Sequence, residues 1–294
     1  MIDGKVKKII ERLLIFLLGV PAVAALVLFL PYKNNLVLNF VIVFFSGIGA
    51  IEFSSMLVKK QINISKAESF ILGALAPLAV TLKVSFGLSE LIIPVILMAA
   101  AGWALMSRIF TKSDIENITN KIIGSFSLII YPGLFMCWVI FMCEWQNPGA
   151  VLLFLFITFG SDSVAWLFGT LLGKNNRGII AVSPNKSIAG FIGGLIGSVL
   201  VAIGALLLFP QIFPIHCIEC FYLPNYLILV SIVGLCTGIA AALGDLAESA
   251  IKRSCDFIDS GNSVLGRGGV LDSIDSIAVA APVFYMLFFL FFTL

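Results

Sequence analysis

The chain has 294 residues, 60% of them hydrophobic and only 12% charged, with a mean hydropathy of +1.12. A soluble domain carries about 25% charged residues, so this composition excludes an ordinary soluble globular protein. The formal net charge of +2 leaves no basic footprint for nucleic acid.

The expected fold is all-α, a polytopic transmembrane helical bundle of about nine spans. Apolar segments fall near 13–31, 35–57, 69–87, 90–107, 122–143, 148–172, 188–209, 227–251 and 276–294. Lys5, Lys7, Lys8 and Arg12 precede the first run. Leu13 to Leu30 is longer than a signal-peptide core, so the run reads as an uncleaved span. With the N-terminus inside, sixteen of the eighteen Lys and Arg fall on the cytoplasmic side and only Lys33 and Lys83 opposite. That asymmetry predicts N-in, C-out. A division at 121/122 is expected: 1–121 with about four spans, and 122–294 with about five spans and a cytoplasmic-face site.

The second span carries Glu52 near its end, which ranks it below Asp162 as a site residue. Asp162 sits in Gly160-Ser161-Asp162-Ser163, a polar cluster inside the sixth span. An acid at membrane depth is costly and usually functional; the alternative is a structural hydrogen-bonder. Gly190, Gly193, Gly194 and Gly197 form two overlapping G-x-x-x-G pairs in the seventh span. They predict close helix packing within the chain, with a homodimer face as the alternative.

Six cysteines are scattered, and Cys217 and Cys220 beside His216 read as a disulfide or two thiols rather than a metal knuckle. The single histidine lies in that outward loop, which excludes a histidine-based triad on the cytoplasmic face. No G-x-x-x-x-G-K-[ST] loop occurs.

The chemistry concentrates in Gly244–Ser276, which holds six of the sixteen carboxylates. Asp245, Glu248, Ser249 and Lys252 are spaced i, i+3, i+4, i+7, one face of a helix. Asp272, Asp275 and Ser276 repeat the pattern. Between them, Gly266-Arg267-Gly268-Gly269 offers a basic loop whose N–H groups can meet an anion. Hard oxygen ligands suit Mg²⁺ bound together with substrate phosphates. Asp245 and Asp272, 27 residues apart, are expected to share one Mg²⁺. The plainer alternative is that Asp272 caps a helix and Asp245 pairs with Lys252.

Ser249-Ala-Ile-Lys252-Arg253, four residues, Ile258-Asp259-Ser260-Gly261, then Gly266 through Asp275 resembles the signature of phosphatidate cytidylyltransferases (CDP-diacylglycerol synthases). Gly244-Asp245-Leu246-Ala-Glu248-Ser249 resembles the G-D-x-x-E-S before it. Ser183-Pro184-Asn185-Lys186-Ser187 resembles the family's S-P-x-K-[ST] loop, and Ser161 to Gly169 its polar sixth helix. The resemblance covers about 160–282. The chain has Ala189, Ile258, Leu265, Arg267 and Ser273 where the family usually has Glu, Lys, Pro, His and Arg.

The resemblance implies that CTP and phosphatidic acid, or a related lipid phosphate, give CDP-diacylglycerol and pyrophosphate at the cytoplasmic side of the inner membrane. It implies Mg²⁺ on Asp245 and Asp272, with Asp162 and Asp275 as further ligands or the site of a second cation. Lys186, Lys252, Arg253 and Arg267 would bind phosphates, and Ser183 and Ser249 would donate hydrogen bonds. Asp259, Gly268 and Gly269 would complete the substrate-binding set. The alternatives are an enzyme acting on another lipid phosphate and a non-catalytic lipid-binding homologue.

Overall fold

The computed structural model describes residues 18–109, 115–212, 223–264 and 268–292. All regular structure among them is helical. The helices are α1 (Leu18–Phe29), α2 (Tyr32–Leu57), α3 (Lys66–Phe86), α4 (Ile92–Met106) and α5 (Ile118–Leu128). They continue as α6 (Cys137–Glu144), α7 (Pro148–Leu171), α8 (Ile188–Leu208), α9 (Leu223–Ser254) and α10 (Leu271–Phe292). Among the described residues seven stretches are long and apolar enough to cross a membrane, with α5 and α6 counting as one; α1 and α4 are shorter. This is a multi-pass membrane bundle, as the composition predicts.

Helix ends follow local chemistry. Ser65 accepts the Glu68 N–H at 3.2 Å and caps α3, while Glu68 sits in the first turn, a capping-box pattern. Gly87, at φ +68°, ends α3 in the left-handed conformation glycine favours. Asn147 caps α7 with Pro148 at its first turn, and Ser187 caps α8. Pro132 cannot donate a backbone hydrogen bond. It lies in a π-turn, Ile129–Gly133, that interrupts the long span between α5 and α6. A Cβ on the next residue, Gly133, would lie 2.9 Å from the Gly73 carbonyl oxygen, so the break lets the backbone settle against α3.

The chain forms two compact units, Met1–Glu144 with Lys252–Ile274, and Trp145–Ile251 with Asp275–Leu294. Both are discontinuous in sequence. In the first unit α2 packs against α3, with Phe53 and Tyr131 edge to face at 5.9 Å. In the second, α7 and α8 meet along the glycines. A Cβ on Gly193 would lie 2.5 Å from Phe168, on Gly197 2.7 Å from Val164, and on Gly190 2.9 Å from the Ala165 carbonyl oxygen. The glycine pattern therefore serves packing within the chain. Trp145 stacks on Tyr285 at 4.7 Å and Phe288 at 5.2 Å in the same unit.

Candidate functional site

In the first unit, the end of α9 brings Lys252 to Asp272 on the first turn of α10. The Lys252 Nζ lies 2.5 Å from Asp272 Oδ1, with the side chains only 10% and 7% exposed. The other carboxylate oxygen of Asp272 accepts hydrogen bonds from Gly269 N at 2.7 Å, Ser260 Oγ at 2.8 Å and Ser260 N at 2.9 Å. One expected substrate-facing glycine N–H thus points at the chain's own carboxylate. Gly268 has φ +104°, and a Cβ there would lie 2.6 Å from Asp272 Oδ2 and 3.1 Å from the Asp259 Cβ. Glycine is required on both counts. Asp259 itself is exposed.

Beneath this segment lies a carboxylate that the sequence reading ranked low. Glu52, on α2, is 6% exposed. It accepts Ser263 Oγ at 2.8 Å and Val270 N at 3.1 Å on one oxygen, and Leu271 N at 2.8 Å and Ser260 Oγ at 3.1 Å on the other. Its only sequence signal was a charge inside an apolar run; its partners lie 208 to 219 residues away. A carboxylate near a helix end is well placed for such a role, because helix ends are where orphan N–H donors of another helix can be met.

In the second unit, Lys186 Nζ lies 2.5 Å from Asp245 Oδ2, with side chains 31% and 36% exposed. Lys186 follows a turn built on Ser183, whose carbonyl accepts the Lys186 N–H at 3.0 Å. Ser187 closes that turn and caps α8. Asp275 is buried and feels the charges of Asp245, Glu248 and Asp162. Glu248 is fully buried and Ser249 nearly so. Gly244 admits α10 closely: a Cβ there would lie 2.5 Å from the Asp275 carbonyl oxygen.

The plainer alternative for these charges has its partners exchanged: Asp245 pairs with Lys186, and Lys252 with Asp272. Arg253 is exposed and donates to the Phe257 carbonyl at 2.7 Å, closing the end of its own helix. Arg267, His216, Cys217 and Cys220 lie outside the described residues. Among the described residues, Cys137, Cys143, Cys236 and Cys255 are free thiols. Among the same residues no three His, Cys, Asp or Glu side chains are arranged to hold a metal ion by themselves. The carboxylates around Asp275 are nonetheless hard oxygen donors, the type Mg²⁺ takes one or two at a time while substrate phosphates and water fill its remaining positions. The residues present fit a cation completed by substrate, and do not fit a closed protein cage.

Comparison with known proteins agrees with the motif pattern. Over 204 residues the chain is 30% identical to a phosphatidate cytidylyltransferase of Bacillus subtilis 168, covering 69% of this chain and 68% of the relative. It is 39% identical over 127 residues to that of Staphylococcus haemolyticus, covering 43% and 44%. It is 29% identical over 205 residues to the uncharacterised protein YnbB of Escherichia coli K12, covering 68% and 63%. The matches thus span between about half and two thirds of these relatives' own length. The profile of the cytidylyltransferase family matches residues 10–291, nearly the whole chain, and on that match this protein belongs to the cytidylyltransferase family.

Proposed function

We propose that this membrane protein is a phosphatidate cytidylyltransferase: it transfers the cytidylyl group of CTP to phosphatidic acid. The observation that carries the reading is the family match over residues 10–291 in a chain of multi-pass apolar helices. In the reaction a phosphate oxygen of the lipid attacks the α-phosphorus of CTP. The new P–O bond forms as the bond to the β-phosphate bridging oxygen breaks, leaving CDP-diacylglycerol and pyrophosphate. Such transfer needs positioning and charge stabilisation more than a protein nucleophile.

Lys186 and Lys252 are the cations for phosphate groups, each held by a carboxylate that keeps its ammonium in place before substrate arrives. Asp245 is the carboxylate proposed to engage Mg²⁺, which takes one or two protein oxygens while substrate phosphates and water fill its other positions. When bound, Mg²⁺ neutralises phosphate charge and polarises the phosphorus–oxygen bonds. A substrate with its acyl chains in the bilayer and its phosphate at the surface matches charges set at the ends of apolar helices. Ile258 is 74% exposed, where the family usually carries Lys, so the lipid phosphate has one cation fewer at that position. The sixteen-to-two charge asymmetry supports a cytoplasmic side for the loops after α7 and α9.

The test is turnover of radiolabelled CTP by the purified protein with phosphatidic acid, a polyprenyl phosphate and an ether-lipid phosphate, with and without Mg²⁺. CDP-diacylglycerol formed only with phosphatidic acid and Mg²⁺ is the expected result. Turnover restricted to another lipid phosphate would reassign the substrate, and none with any lipid would refute catalysis. Asp245→Asn and Asp272→Asn are each expected to lower turnover by roughly 100-fold or more, the range seen when a group stabilising transition-state charge is lost.

A further inference from the structure

We infer that Glu52 is a positioning residue that holds the Lys252–Asp272 pair in its working geometry by clamping Ser260 and Ser263 on one side and Val270 and Leu271 on the other. The kinetic part of this inference rests on the function proposed above; the structural part does not.

A carboxylate as buried as Glu52 must be hydrogen-bonded, and here each oxygen accepts a backbone N–H and has a serine hydroxyl within hydrogen-bond distance. Two are backbone N–H groups of Val270 and Leu271 at the N-terminus of α10, which have no partner within their own helix. The charge lies at the positive end of that helix dipole, where an anion is stabilised. The other two donors are Ser260 and Ser263, from the loop before the helix. One side chain of α2 therefore fixes both the loop and the helix start.

The same segment supplies Asp272. Ser260 N, Ser260 Oγ and Gly269 N donate to its Oδ2, which leaves Oδ1 for Lys252. Ser260 joins the two carboxylates. Its hydroxyl lies 3.1 Å from Glu52 and 2.8 Å from Asp272, and it has one proton to give. Close approach depends on glycine. A Cβ on Gly261 would lie 2.6 Å from Glu52 Oε1, and one on Gly269 would collide with both Glu52 and Ser260. Glu52 and Asp272 carry two negative charges against the one positive charge of Lys252, and the backbone donors and the helix dipole help to offset the excess. Removing the Glu52 charge loosens the segment first and Asp272 with it.

Glu52→Gln in the full-length protein tests this. Each Glu52 oxygen faces a backbone N–H, so the amide NH₂ meets a donor in either orientation. Hydrogen exchange should quicken by about tenfold or more in peptides covering 259–264 and 268–272, with α7 and α8 peptides unchanged. Turnover of CTP should fall roughly 10–100-fold, the usual cost of losing a residue that orients a functional ligand. That loss should appear in kcat, with KM for CTP nearly unchanged, because Glu52 does not itself bind nucleotide. Ser263→Ala, at an exposed position, removes one donor and should give a smaller effect confined to the same peptides. It serves as the measurement if Glu52→Gln does not fold. Exchange unchanged in 259–264 and 268–272, or raised equally throughout the chain, would overturn the inference. If the wild-type protein turns over no CTP, the exchange result alone decides it and the failure belongs to the proposed reaction.

Discussion

Lys186–Asp245 and Lys252–Asp272 have the same 2.5 Å separation and differ in burial. Partly solvated pairs contribute at most about 1 kcal/mol, because water solvates each charge nearly as well as its partner does. Stranding one member of a buried pair costs about 3–5 kcal/mol, because the remaining charge keeps its desolvation penalty. Lys252→Met is therefore expected to destabilise the protein by about 3 kcal/mol and Lys186→Met by under about 1 kcal/mol. Under the proposed reaction both should lower turnover. Denaturant unfolding in detergent micelles measures the difference, and equal losses of stability would show that burial does not separate the two pairs.

Among the elements, α8 illustrates how one residue type takes different roles along a helix. Gly193 faces Phe168 so closely that a methyl group cannot be added without moving α7, whereas Gly204 has open space around its missing Cβ. Gly193→Ala is expected to cost about 1–3 kcal/mol through overpacking. Gly204→Ala should be neutral or gain up to about 1 kcal/mol, since alanine loses less backbone entropy. Thermal unfolding of the two variants makes the comparison, and a similar midpoint for both would contradict the packing seam. The G-x-x-x-G spacing announced this contact in the sequence; its partner did not. Phe168 and Val164 bear no mark that sets them apart from other apolar residues of α7. The π-turn at Pro132 was half legible: proline forecasts a break, but the landing of Gly133 against Gly73 depends on α3.

For the whole molecule, the charge asymmetry makes a topological prediction. In a background without native cysteines, Asn185→Cys and Asn262→Cys should react with an impermeant maleimide only after the cells are opened. Ser89→Cys, in the exposed loop between α3 and α4, should react in intact cells. Labelling of Asn185→Cys or Asn262→Cys from outside would refute the N-in, C-out orientation. The expected helical segments correspond closely to the observed helices because hydrocarbon leaves a backbone few ways to satisfy its hydrogen bonds. Length and apolarity then suffice to place a span.

What the sequence determined by itself was the class of fold, the helical segments, the glycine packing face and the family, since each rests on local composition or on spacing within one element. It also marked Asp162, Lys186, Asp245, Lys252, Asp272 and Asp275 as charges an apolar chain would not carry idly. Only tertiary structure decided which charge meets which. Pairing depends on contacts between distant segments, so Lys186 with Asp245, Lys252 with Asp272, and the serines with Glu52 could not be read from periodicity. The role of Glu52 was the most hidden, because a helix start leaves N–H groups unpaired without stating in sequence which carboxylate will cap them.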